Sequence, residues 1–158
     1  MNYHFAQVNI AKARYPLEDP RMADFVNNTN QINAIAEKSP GFIWRWVEEP
    51  QSDAAEVFGD PALVVNMSIW ESREALMEFT YHSPHVEIYK RKNEWFEKLN
   101  SAHMVCFYTK ESEITLQEAK RHLDYLNKMG ETPLAFSFRS SFSANDAEKY
   151  LTNKSIRL

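Results

Sequence analysis

Residues 64–70, "VVNMSIW", constrain the fold more than any other stretch of the chain. On a strand, side chains two apart share a face. Val64, Asn66, Ser68 and Trp70 therefore line one face, and Val65, Met67 and Ile69 line the other. The second set is fully apolar and is expected to pack against helices. The first mixes an amide, a hydroxyl and an indole. A long, mostly apolar strand of this kind belongs in the middle of a sheet.

The flanking segments supply the rest of that sheet. Residues 4–14, "HFAQVNIAKAR", alternate as a first strand, with Phe5, Gln7, Asn9 and Ala11 on one face. Asp19 and Pro20 read as the cap and first position of a helix carrying Met22, Phe25, Val26, Thr29, Ile32 and Ala36. Residues 41–50, "GFIWRWVEEP", read as a second strand with Phe42, Trp44 and Trp46 on one face. Residues 51–56 read as a polar loop. Ser72 caps a short helix, and Ser83-Pro84 breaks it and starts another that is expected to bury Ile88, Tyr89, Trp95, Phe96 and Leu99. Residues 102–110 form a further strand. "TLQE" at 115–118 is a capping box opening a helix striped by Leu116, Ala119, Leu123 and Leu126, and Gly130 ends it. Residues 134–142 read as a short last strand, and 143–158 as a loose polar tail.

The order β-α-β-β-α-β, with an added helix and strand, predicts one α+β domain over residues 1–142. It is the ferredoxin-like, split βαβ arrangement, with an antiparallel sheet and helices on one face. Trp44, Trp46 and Trp70 on the other face are too apolar to leave in water, so a homodimer through the sheet faces, an α/β barrel, is expected.

Composition narrows the function. A net charge of −4 argues against a nucleic-acid partner. The "KRK" at 90–92 lies among Glu87, Glu94 and Glu97, as a solvated helix face does. Three glycines and no glycine-rich fingerprint leave no phosphate cradle. A single cysteine, Cys106, excludes a disulfide framework and a multi-cysteine metal site and reads as a small buried hydrophobe. With no signal-peptide pattern and no apolar run near the roughly 18 residues a membrane span needs, a cytoplasmic protein without a membrane partner is expected.

From "FGDPALVVNMSIWESREALMEFTYHSPHVEIYKRKNEWF", "AQVNIAKARYPLEDPRMADFV" and "INAIAEKSPGFIWR", the chain resembles an uncharacterised family. This is the domain of unknown function 3291, of the dimeric α/β-barrel superfamily. The shared pattern is V-N-M-S-x-W-E-S, then AL, F, S-x-H, R and E-W-F, and the likeness spans nearly the whole chain. The superfamily includes the antibiotic-biosynthesis monooxygenases, small dimers that oxidise polyketide anthrones to quinones without metal or flavin. In some of them an Asn and a Trp four residues later line the pocket, and Asn66 and Trp70 match that spacing. Other branches bind haem, degrade haem or isomerise lactones.

These readings converge on a small cofactor-independent enzyme acting on an aromatic or polycyclic metabolite, a monooxygenase or a proton-transfer catalyst. Apolar walls with a few fixed polar groups suit such a ligand. Asn66 is expected to hold a substrate oxygen, and Trp70 and Trp44 to stack on its rings. Ser68, Gln7, Asn9 and Tyr89 complete the binding set. His85, at a helix start whose positive end disfavours an imidazolium, is the expected base. Arg45 either holds an anionic ligand or makes a rim salt bridge. Three alternatives stay open: a non-catalytic binder of a hydrophobic small molecule, haem ligation by His85, and a His82–His85 metal pair. The pair lacks a third ligand at familiar spacing, so no metal is expected. His4, His103 and His122 have no partner legible in the sequence.

Overall fold

The computed structural model describes residues 2–49 and 51–154. Pro50, the end of the expected second strand, and residues 155–158 of the expected tail lie outside them. The sheet contains β1 (His4–Ala13), β2 (Phe42–Arg45), β3 (Leu63–Trp70), β4 (Phe96–Glu97) and β5 (Met104–Thr109). All its pairings are antiparallel. β1 runs between β3 and β5, and β2 lies outside β3. That order, with α1 (Ala23–Lys38) linking β1 to β2 and α3 (Arg73–His82), α4 (His85–Lys90) and α5 (Lys92–Trp95) between β3 and β5, is the split βαβ topology. The α+β, ferredoxin-like reading holds.

Both faces of the sheet are covered within the one chain. On one, Ala6, Val8, Ile10, Met67, Ile69, Val105 and Phe107 form a core with Leu116, Ala119, Leu123 and Leu126 of α6 (Leu116–Met129), joined by Ala54 of α2 (Ala54–Phe58). On the other, Phe5, Trp70 and Cys106 pack with Ala36 of α1, Leu76 of α3 and Phe136. Helices on one face only was therefore the wrong expectation. The stripe of α6 packs on the Met67 and Ile69 face, where helices were expected, while α1 and α3 cover Trp70 on the face that a second subunit was expected to close. Each fully buried Ile, Met or Phe here contributes about 1.5–3 kcal/mol of transfer free energy.

Other local departures have identifiable causes. A register shift between Phe42 and Trp44 breaks the strand alternation of β2. Phe42 pairs with Trp70 but Trp44 pairs with Ile69, so Trp44 packs on the α6 side with Ile43 and Trp46. A bulge puts one extra residue on a strand and re-aims the side chains beyond it. The expected helix through 84–100 breaks twice, and Phe96, with φ −127° and ψ 143°, pairs as β4 with Ala13. The loop at 51–56 contains the start of α2. Residues 134–142 form no strand, only isolated bridges of Phe136 to Cys106 and of Ala135 to Thr132. The stretch read as a loose tail forms α7 (Ala144–Lys154), with Ala147 buried and Tyr150 hydrogen-bonded to Tyr125, hydroxyl to hydroxyl, at 2.9 Å.

Capping agrees closely with the sequence. Asp19 Oδ1 accepts from the Arg21 N–H at 2.9 Å, ahead of a 3-10 turn, Pro20–Met22, that leads into α1. Ser72 accepts from the Ala75 N–H and Thr115 from the Glu118 N–H, both at 3.1 Å. Each satisfies one N–H that a helix start leaves unpaired.

Candidate functional site

Register brings four of the predicted residues together. Gln7 lies directly across from Ser68, and Asn9 from Asn66. Gln7 Nε2 donates to Ser68 Oγ at 2.8 Å and, diagonally, to Asn66 Oδ1 at 2.7 Å. Trp70 Nε1 donates to the same Ser68 Oγ at 2.9 Å. Gln7 and Ser68 are each 8% exposed, so their polar atoms are buried but paired. Asn66 is exposed. The polar ladder therefore runs from a buried indole to an amide in solvent.

Trp70 is not the stacking surface the sequence suggested. It is 1% exposed, with Phe42 edge-on at 5.4 Å and Phe79 stacked at 5.2 Å between ring centroids. Burying this indole takes no second subunit. Trp44, across the sheet, does not join this face, because of the β2 register shift. Tyr89 is 55% exposed, with Lys92 donating to its hydroxyl at 2.9 Å and lying over its ring, so it belongs to the outer surface. Lys90 and Arg91 pair with Glu87, Glu94 and Asp24, as a solvated face does. Arg45 Nε donates to Glu37 Oε1 at 2.7 Å, the rim salt bridge of the two readings.

His85 opens α4, and Ser83 Oγ accepts its backbone N–H at 3.2 Å. Its ring lies 6.2 Å from that of Phe79, which stacks on Trp70, so one aromatic residue separates His85 from the polar ladder. The half-buried imidazole is pushed below its ordinary pKa by burial and is neutral at pH 7. His82 is apart from it, within reach of Glu78 at 3.7 Å. Among the described residues no group of three His, Cys, Asp or Glu side chains could hold a metal ion.

Nothing in the sequence pointed to His122. Its ring lies flat on Phe107, centroids 3.6 Å apart, and its Nδ1 is 2.8 Å from the Glu118 carbonyl oxygen. Burial pulls its pKa down to about 4, against that hydrogen bond and helped by Arg121. It lines a cavity of about 530 Å³ with Glu111, Glu113, Ile114, Thr115, Glu118 and Arg121. A second cavity, about 270 Å³, lies along α3 between Arg73 and His82. Neither is lined by Asn66, Trp70 or His85.

Two solved structures are similar to this chain. One is SnoaB, a cofactor-independent oxygenase from Streptomyces nogalater. It is 12% identical, with TM-score 0.46 over 70% of this chain and 96% of that one. The other, from Chloroflexus aurantiacus, is assigned to the antibiotic biosynthesis monooxygenases. It is 13% identical, with TM-score 0.41 over 67% of this chain and 90% of that one. Likeness at this level transfers no residue role and no activity to this chain. No curated protein shows significant similarity to it. No described helix is long and apolar enough to cross a membrane. The family model, in contrast, matches residues 4–153, and the chain belongs to the family described as Domain of unknown function (DUF3291).

Proposed function

We propose that the chain binds an aromatic or polycyclic metabolite over the Asn9–Asn66 end of β1 and β3 and acts on it without a bound cofactor. The observation that carries this reading is the exposed amide of Asn66, held by Gln7 at the end of an otherwise buried and paired polar ladder. Asn66 donates to a substrate oxygen, and His85, neutral at pH 7, accepts a proton from a phenol or an acidic carbon. With an anthrone, proton removal gives an enolate that O2 oxidises. Overall one anthrone and one O2 yield one quinone and one water. SnoaB, described as a cofactor-independent oxygenase, is consistent with such chemistry but lends it no residue.

The experiment is oxygen uptake with dithranol, a hydroxylated anthrone. Wild type should exceed the buffer rate. His85→Ala should lose about 10²- to 10⁴-fold, the usual contribution of a positioned base. Asn66→Ala should lose about three- to tenfold, the worth of one hydrogen bond. Uptake no faster than buffer, or wild-type turnover by His85→Ala, sinks the enzymatic reading.

A second reading, a non-catalytic binder, is favoured by one observation. The His85 ring has no hydrogen-bond partner among the described residues to orient it, which a general base ordinarily has. A binder takes up the same aromatic compounds with no turnover. The homodimer is part of our proposal too. Its support is now the free edge of β2, beyond which Val47 is 55% exposed, rather than Trp70. A monomer mass by light scattering at micromolar concentration removes it.

A further inference from the structure

The hydrogen bonds around Gln7 all run one way. Its Nε2 carries two hydrogens, and both are used, one on Asn66 Oδ1 and one on Ser68 Oγ. Ser68 Oγ also accepts from Trp70 Nε1, so neither of its lone pairs is left for a ligand. An indole nitrogen can only donate, which fixes the direction of that bond. Asn66 Oδ1 accepts from Gln7 with one of its two lone pairs and is thereby turned toward it, and Asn66 is the exposed member of the set, with its N–H2 on the outer side. A molecule arriving at this face therefore meets the Asn66 N–H2.

We propose that Gln7 is a positioning residue that sets the polarity of this face. By donating twice, it turns Asn66 so that the site offers a donor. The ligand is then recognised through an acceptor oxygen, a ketone carbonyl or the enolate or phenolate derived from it. This rests on the reading that an aromatic ligand occupies the Asn66 face. The opposite orientation, with Gln7 accepting twice, exposes Asn66 Oδ1 and selects an amide or ammonium donor instead. Turning the Gln7 amide alone would set its Oε1 against Asn66 Oδ1, acceptor to acceptor, so the orientations of the two amides are coupled.

Two measurements decide the matter. In 15N-labelled protein, the side-chain amide hydrogens of Gln7 should exchange slowly with solvent and those of Asn66 rapidly. The reverse order overturns the proposal whatever the protein binds. Quenching of tryptophan fluorescence then compares 9-fluorenone, which carries one acceptor oxygen, with fluorene, which carries none. Wild type should prefer fluorenone by about three- to tenfold. Gln7→Glu, ionised at pH 8 and able only to accept, should abolish that preference. Gln7→Met, neutral and of similar length, should weaken it while sparing the fold. An unchanged preference in both variants overturns the proposal. If neither compound binds wild type, the aromatic-ligand reading fails, and the exchange order still judges Gln7.

Discussion

Phe79 stacks on Trp70 with ring centroids 5.2 Å apart and planes 28° apart, and its other neighbour is the imidazole of His85 at 6.2 Å. One ring on α3 thus roofs the buried indole and desolvates the candidate base. Phe79→Ala should cost about 2–3 kcal/mol, below the range for a fully buried ring, since Phe79 is only partly buried. It should also return the His85 pKa toward its ordinary 6.5, because burial is what lowers it. An NMR titration of the His85 ring reads this directly. A pKa equal to that of wild type would mean Phe79 plays no part in keeping His85 neutral.

Two glycines that share a positive φ should respond differently to alanine. Gly41 has φ 84°, and a Cβ there would lie 2.6 Å from Ala75 Cβ. Gly59 has φ 75° with nothing within 4 Å. Gly59→Ala bears only the cost of the left-handed backbone, about 1–2 kcal/mol. Gly41→Ala adds a clash between α3 and the start of β2, and should cost roughly 1–3 kcal/mol more. Urea midpoints for the two variants test this, and equal losses would refute it.

His122 makes stability depend on pH. Its pKa is about 4 in the folded protein and about 6.5 when unfolded, so the unfolded chain binds the proton more readily between those values. The stabilisation is present above pH 6.5 and is lost as pH falls toward 4. The full loss is on the order of 3 kcal/mol. His122→Phe, which can still stack on Phe107, should flatten the stability curve across that window. An unchanged slope would assign the acid sensitivity to other groups.

Cys106 should be inert in the folded protein. It is fully buried, and burial lifts its thiol to about 12, with Arg73 opposing and Glu131 adding to the shift. Thiolate is the reactive form. Ellman's reagent should label it only at the rate of unfolding, and rapid labelling at pH 8 would show that the β5 side of the core opens.

Periodicity made part of the fold legible in the sequence. The run 64–70 is long and mostly apolar with its polar residues, Asn66 and Ser68, two apart, so its two faces and its central place were readable, and register then joined Gln7 to Ser68. In Phe42-Ile43-Trp44 every residue is apolar, and nothing in the letters marks where a bulge slips the faces. That is how Trp44 was assigned to the wrong layer. The α6 stripe was plain, but a stripe does not say which sheet face it covers. Asn66 was identifiable as polar on a mixed face. The double donation by Gln7 was not, because it depends on a diagonal contact that exists only once two strands are aligned.

The central place of β1 has a consequence for how the chain matures. Phe5 pairs with Trp70 on one side and with Tyr108 on the other, so the first strand made waits for partners from the middle and far parts of the chain. Such distant pairing slows folding and leaves strand edges open during synthesis. Because α6 comes after β5, the apolar side of the sheet stays uncovered until most of the chain has emerged. A nascent chain halted before Leu116 would carry a sticky, unlidded sheet, the form that chaperones hold and that aggregates when they do not.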